Sequence, residues 1–288
     1  MQITKDNLTI VIVTIMSQKI IDNCLNSIDP AIKKIIVENS SNQKFINDIQ
    51  NRYENIECYI TGENLGMGQG NNFGIKKAKT RYVMVLNPDT ILKEDTLSQI
   101  FKISENLDFS ILSPQSDNKE YPNYKILSNS KNYEIKENLF EVDSVDGYAM
   151  ILDLSKFDNY YFDKKIFMYL ENDDLCIRAK KNNHKIYVCK LALISHLGAK
   201  TVDDKYQNEI ELSRNWHWSW SKFYFRKKHY GFLNALLSCL PDFIKGCLRC
   251  FLYFFVNDKK KLKIYTCRVS GFYNSFLNKR SWYRPRLD

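Results

Sequence analysis

The chain has 288 residues, 44% of them hydrophobic and 26% charged, which excludes disorder as a description of most of it and suits one large domain or a domain with an appendage. The net charge of +9 is unevenly spread: residues 205–288 carry 17 Lys+Arg against 5 Asp+Glu, whereas residues 1–204 carry 25 against 28. A near-neutral globular part with a basic tail points to an anionic partner for the tail, either nucleic acid or a membrane surface.

The first 115 residues alternate strand and helix. Leu8–Val13 is an apolar, β-branched run with the character of a buried strand. A helix is expected over Lys19–Ser27, a strand over Lys34–Val37, a helix over Lys44–Arg52 and a strand over Ile56–Thr61. Gly68–Ala78 reads as a helix behind a glycine-rich turn, and Tyr82–Leu86 as a strand that stops at Asn87-Pro88-Asp89. Glu94–Glu105 is helical and Phe109–Ser113 strand-like. Strands and helices at this spacing predict a parallel sheet with right-handed crossovers. Residues 116–142 are polar and read as an irregular excursion or hairpin, before order returns at Val142–Leu152. Glu171–Lys181 is helical, and Lys185–Val188 and Leu191–Ile194 are short strands. Tyr206–Tyr230 is an aromatic-rich helix. Gly231–Val256 is apolar but interrupted by Asp242, Lys245 and Arg249, which fits an interfacial amphipathic helix or a helical hairpin better than a membrane span. The eight cysteines form no zinc-binding pattern, and Cys247 and Cys250 are read as small packing residues. No export signal opens the sequence, so a cytoplasmic protein with reduced thiols is expected.

Ligands of open parallel sheets bind beyond the carboxyl ends of the strands. Three strand ends here are polar: Glu38-Asn39-Ser40-Ser41, Gly62-Glu63-Asn64 and Asn87-Pro88-Asp89-Thr90. Each is also ordinary turn chemistry, but together they would form one cleft. Asp89 is a hard oxygen donor suited to Mg²⁺ or Mn²⁺, or else a cap for the helix that follows. Glu171-Asn172-Asp173-Asp174 places three carboxylates at a helix start, where the dipole favours them and where one can act as a general base. His196, ending an apolar strand, is a candidate metal ligand or proton carrier.

In their order, several segments resemble glycosyltransferase family 2, particularly its rhamnosyltransferase-like branch in bacterial surface-polysaccharide synthesis. They are Ile10–Thr14, Val37–Ser41, Glu63–Ile75, Leu86–Thr90, Asp146–Met150, Phe167–Arg178 and Ser195–Gly198. The resemblance implies an α/β GT-A fold, a Rossmann-like mixed sheet flanked by helices, over residues 1–204, with a basic helical C-terminal appendage over 205–288. It implies that Thr14, Glu38, Asn39 and Ser40 surround the base and ribose of a nucleotide sugar, and that Asn64, Asn71, Asn72 and Asn87 line the nucleotide and sugar. Asp146 and Gly147 would fall where donor and acceptor meet, and Asp89 and His196 would hold a divalent Mg²⁺ or Mn²⁺ ion.

Three positions depart from the family pattern. Ile15-Met16 stand in place of a frequent Tyr-Asn, and Glu38 in place of a frequent Asp. Asn172 stands where the family's catalytic Asp is usual. Glu171, with Asp174 second, is therefore the expected base of an inverting transfer to a glycan or polyprenyl-linked acceptor, with a dTDP-rhamnose-like donor suggested by the branch. The competing expectation is a catalytically silent homologue that binds nucleotide sugar or a partner. Gly66-Met67-Gly68-Gln69-Gly70 follows the third strand with the wrong spacing for a dinucleotide fingerprint, which argues against an oxidoreductase. The tail mixes its charge with long apolar faces, so an anionic membrane on the cytoplasmic side is the expected partner and nucleic acid is not.

Overall fold

The computed structural model describes residues 2–126, 134–136, 138–198 and 206–285. Parts of the predicted 116–142 excursion, and the predicted domain boundary at 204/205, lie outside the described residues. Contacts divide the chain into two units, one of Met1–Asp163 with Asn172–Thr201 and one of Lys164–Glu171 with Val202–Asp288.

The first unit is built on a mixed sheet. Strands β1 (Leu8–Thr14), β2 (Lys33–Glu38), β3 (Ile56–Ile60) and β4 (Tyr82–Leu86) are parallel, as predicted, and lie in the order β3-β2-β1-β4. The next neighbour of β4 is not the following strand β6 (Ile111–Ser116) but β11 (Ala149–Asp153), which runs antiparallel to both. The sheet is therefore mixed, as the resemblance implies, while the five strands predicted in the first 115 residues all run in one direction. β12 (Ile186–His196) then runs parallel to β6. The two short strands expected over 185–194 are this single strand, interrupted by an irregularity between Cys189 and Leu193. β5 (Thr90–Leu92), β9 (Leu139–Glu141) and β8 (Glu134–Lys136) complete the sheet, and β7 (Tyr124–Lys125) pairs separately with β10 (Ser144–Val145).

Alternation along β1 sends its side chains to two cores. Leu8, Ile10 and Ile12 pack with Ile21 and Leu25 of α1 (Ile21–Asn26), with Phe45 and Ile49 of α2 (Gln43–Arg52), and with Ile100 of α4 (Thr96–Ile103). Val11 and Val13 pack on the opposite face with Ile75 of α3 (Met67–Lys77) and Leu175 and Ala179 of α5 (Glu171–Lys181). The glycines of α3 serve this packing. A Cβ on Gly74 would lie 2.3 Å from Cγ1 of Val11, and one on Gly70 would lie 2.7 Å from Cγ1 of Val13.

The second unit contains α6 (Gln207–Tyr230), α7 (Phe232–Phe255) and α8 (Lys259–Phe276) around a small core of Phe223, Ala235, Cys239 and Phe272. Lys164–Glu171 belongs to it because Ser221 Oγ donates to Met168 O at 2.8 Å and Ser281 Oγ to Lys165 O at 3.0 Å. His217 is fully buried, stacked on Phe167 and 2.8 Å from Tyr283 O through Nε2. The amphipathic reading of α7 and the hairpin reading each capture one side of it: its inner face packs, and its outer face is exposed. No described helix is long and apolar enough to cross a membrane. Cys250 is half-buried but Cys247 is exposed, so only Cys250 packs as predicted.

Candidate functional site

The ends of β1, β2 and β4 supply the polar cluster. Thr14 and Glu38 are register partners, and Thr14 Oγ1 donates to Glu38 Oε2 at 2.6 Å. Ser40 Oγ donates to the other carboxylate oxygen. Burial pushes the Glu38 carboxyl up, against the pull of the two hydroxyl donors. Asn39 takes its backbone position from Thr14 O at 2.7 Å and binds the Thr61–Gly66 loop through its side chain. Its Oδ1 accepts from Leu65 N at 3.1 Å, and its Nδ2 donates to Asn64 Oδ1 at 3.2 Å. Asn64 in turn accepts from Gly66 N at 3.0 Å, where a φ of 81° requires glycine at the start of α3.

Of the residues predicted to line a nucleotide sugar, Thr14, Glu38, Asn39, Asn71 and Asn72 are buried, while Ser40, Asn64, Asn87, Asp146 and Gly147 are partly exposed. Asn72 bonds the backbone of Phe162 through both ends of its amide, at 2.8 and 3.0 Å, and braces α3. Asn71 Oδ1 has no hydrogen-bond partner.

Asp89 follows β4 and is only 5% exposed. Its Oδ1 lies 3.3 Å from Nε2 of His196 and receives no hydrogen bond. β5 separates it from α4, whose cap position is Asp95, so the capping role weighed for Asp89 is corrected. His196 reaches it because β12 pairs with β5, His196 opposite Thr90, and because Leu197 N donates to Asp89 O at 3.0 Å. Tyr148 fixes the imidazole plane: the rings stack 4.0 Å apart at 3°. Burial pushes the Tyr148 phenol up to about 12, so the ring stays neutral. Sequence reasoning missed Tyr148, although it lies in the quoted Asp146–Met150 segment. It also missed Cys24, whose thiol donates to Asn87 O at 3.6 Å and is held protonated by burial and then by Asp89.

The carboxylates of Asp146 and of the α5 start differ in their commitments. Asp174 is fully buried and ion-paired to Arg178 at 2.9 Å, and Arg178 also donates to Tyr160 O and Tyr161 O. A group sequestered in this way anchors α5. Asp173 pairs with Lys125 of β7 at 3.1 Å and accepts from Ser144 Oγ of β10 at 2.9 Å. Asn172 Nδ2 donates to Val145 O at 2.9 Å, and its Cβ lies 3.3 Å from where a Cβ on Gly147 would be. Asp146, between Val145 and Gly147, holds its backbone on Asn123 O at 2.8 Å. Burial, then Asp173, push its carboxyl up, while Lys125 and His196 pull it down. Glu171 opens α5 and is partly exposed.

No group of three or more His, Cys, Asp or Glu able to hold a metal occurs among the described residues. The buried, hydrogen-bond-free oxygen of Asp89 facing an imidazole nitrogen nevertheless fits a divalent cation whose other ligands come from phosphate oxygens.

The mixed sheet, with polar residues at the carboxyl ends of its parallel strands, is that of a GT-A type of fold. Residues 9–157 match the family described as Glycosyl transferase family 2. The chain belongs to that family and is a glycosyltransferase. It is 27% identical over 210 residues to the low-salt glycan biosynthesis hexosyltransferase Agl10 of Haloferax volcanii, covering 66% of this chain and 67% of that one. It is 29% identical over 189 residues to the rhamnosyltransferase WbbL of Escherichia coli K12, covering 56% of this chain and 70% of that one. The fold is shared with S. aureus TarS 1–349, at a TM-score of 0.53 and 16% identity over 96% of this chain and 93% of the other. It is also shared with the mannosyltransferase PcManGT of Pyrobaculum calidifontis, bound to GDP-Man and Mn²⁺, at a TM-score of 0.55 and 9% identity over 95% and 88%.

Proposed function

We propose that this glycosyltransferase is inverting, and that it moves a sugar, rhamnose-like by its relatives, from a nucleoside diphosphate to a glycan or polyprenyl-linked acceptor. The carrying observation is the buried Asp89 oxygen that faces His196 without a hydrogen bond. Thr14, Glu38, Ser40, Asn39 and Asn64 brace the strand ends around the nucleoside, and Asn71, Asn72 and Asn87 stand behind the sugar. Asp89 and His196 hold Mg²⁺ or Mn²⁺, which when bound neutralises charge on the departing diphosphate. The acceptor oxygen attacks the anomeric carbon as the bond to the diphosphate breaks, and a carboxylate takes its proton.

That carboxylate is assigned to Asp146 rather than to Glu171, the choice from sequence. Asp173 and Asp174 are committed to Lys125 and Arg178, whereas Asp146 carries no side-chain hydrogen bond or ion pair among the described residues, and burial favours its protonated form. A proton acceptor needs both properties. The exposed apolar face of α7, flanked by Lys245, Arg249 and Lys259–Lys261, is read as a peripheral contact with an anionic cytoplasmic membrane leaflet.

A panel of nucleotide sugars, scored by thermal stabilisation with and without Mn²⁺ and then by turnover, tests the reading. Stabilisation by a donor without transfer to any acceptor would favour the silent homologue, for which Asn172 is the motivation. No stabilisation by any donor would overturn both.

A further inference from the structure

The second unit contains a cavity of about 280 Å³ between α6, α7 and α8. Lys222, Lys245, Arg249 and Arg268 line it, with Asp242 the one acidic group among the lining residues. Asp242 is spent on Lys222 at 2.6 Å. Lys245, Arg249 and Arg268 have no carboxylate partner among the described residues. Both guanidinium groups gather instead on one phenol ring: Arg249 lies 4.9 Å and Arg268 5.2 Å from the centre of Tyr265. Arg249 also donates to the Tyr265 hydroxyl, and Arg268 Nε donates to Asn215 Oδ1 at 2.6 Å. These contacts orient the forks but leave their charge uncompensated. Cations held beside one another around a cavity repel, and a multivalent anion is the species that reverses the sign of that interaction.

The surroundings specify what the anion is attached to. Leu233, Leu237, Leu240, Ile244, Leu248, Phe251 and Phe255 recur every three or four residues along α7, and all are exposed, six of them by half or more. This stripe is about 33 Å long. Lys245 and Arg249 directly follow Ile244 and Leu248, so the cationic cavity and the apolar stripe occupy adjoining faces of one helix. A free anion would use the cavity and have no use for the stripe.

We propose that this cavity is a binding site for the phosphate headgroup of a lipid, with the lipid chains against the α7 stripe. The proposal rests on the reading of α7 as a membrane-contacting helix and adds to it a preference for a terminal phosphate over other anionic headgroups. A terminal phosphate offers two or more oxygens to the two forks, where a phosphodiester is less charged and more hindered.

Flotation of the full chain tests this with vesicles of phosphatidylcholine carrying either phosphatidic acid or phosphatidylglycerol at matched surface charge. The wild type is expected to bind the phosphatidic acid vesicles about tenfold more tightly. Arg249→Gln with Arg268→Gln is expected to erase that preference while keeping the phosphatidylglycerol binding, a loss of about tenfold on the scale of charge-assisted hydrogen bonds. Lys245→Gln, at an exposed position that disturbs no packing, should show a smaller loss of the same preference and guards against misfolding of the double variant. Equal binding to the two vesicle types would overturn the phosphate site and leave the membrane reading standing. No binding to either would overturn both. Protection of the double-arginine site by inorganic phosphate alone, as tightly as by the vesicles, would assign it to a free anion and overturn the lipid.

Discussion

Asp89 and His196, 107 positions apart, meet at 3.3 Å because β5 carries the turn after β4 into antiparallel pairing with the end of β12. The Asp89 oxygen at that contact accepts no hydrogen bond and is almost fully buried, an arrangement that costs free energy unless a cation occupies it. Asp89→Asn is therefore expected to abolish the Mn²⁺-dependent part of donor stabilisation while leaving the unliganded melting temperature unchanged or higher. His196→Ala should lose less, since one of several ligands goes and the Tyr148 ring loses its stacking partner. Unaltered Mn²⁺ dependence in a folded Asp89→Asn protein would remove Asp89 from the metal site.

For the base, Asp146→Asn should lower turnover by about 10²-fold or more with donor stabilisation retained. The wild-type rate should rise with pH through a value above the ordinary carboxylate range, because burial disfavours the ionised form that must accept the proton. Glu171→Gln is expected to keep most of the activity. Full turnover in Asp146→Asn together with loss in Glu171→Gln would return the role to Glu171. Partial rescue of Asp146→Asn by Asn172→Asp would show that a carboxylate on either side of Gly147 can serve, since the two backbones adjoin there.

The parallel half of the sheet was legible because Leu8–Val13 and Tyr82–Leu86 are uninterrupted apolar runs ending in polar turns. The antiparallel insertion of β11 was not, because it depends on pairings such as Met150 with Val85 that no local pattern encodes. Asp89 and His196 could be picked out as hard donors at strand ends, but their meeting required the β5–β12 ladder. The sequence offered Asp174 as a base second to Glu171. In the fold, Asp174 is consumed by Arg178, and Asp173 is met by Ser144 and by Lys125, the latter from the polar 116–142 stretch whose periodicity is too weak to read. Helix α8 escaped notice because Lys259–Lys261 and Lys263 mask its apolar face.

Gly74 offers a test of what the α3 glycines do. A Cβ there would lie 2.3 Å from Val11 Cγ1 and 3.1 Å from Val37 Cγ2, in a close-packed core. Gly74→Ala should destabilise the fold by about 1–3 kcal/mol through overpacking, against the small gain in helix propensity. Chemical denaturation would measure it. A neutral or stabilising result would show that α3 can lift off β1 without cost.

The α7 stripe predicts a membrane effect separable from stability. Phe251 and Phe255 are about two-thirds exposed and meet edge to face, with ring centroids 4.7 Å apart. Phe251→Glu with Phe255→Glu should reduce flotation with anionic vesicles at least tenfold, as apolar burial is lost and like charge is brought to the leaflet. The melting temperature should barely move. A large drop in it would mean that these rings support the fold instead of facing lipid.

His217 makes the second unit sensitive to acid. The residue is fully buried between Phe167 and Trp216, and burial holds its imidazole down to about 4, against the opposing pull of the Tyr283 carbonyl and with Arg284 also disfavouring the charge. Its ordinary value is 6.5, so the unfolded chain binds the proton more readily than the folded one between the two values. The stabilising contribution is therefore complete above about pH 6.5 and is lost as pH falls toward 4, with a span of about 3 kcal/mol. His217→Gln keeps a donor for Tyr283 O but has no such titration. Between pH 7 and pH 4, its denaturation midpoint should fall less than that of the wild type, although it starts lower for loss of ring packing. Parallel pH dependences of the two proteins would show that His217 is not what couples acid to unfolding, and would leave the carboxylates of the first unit as the source.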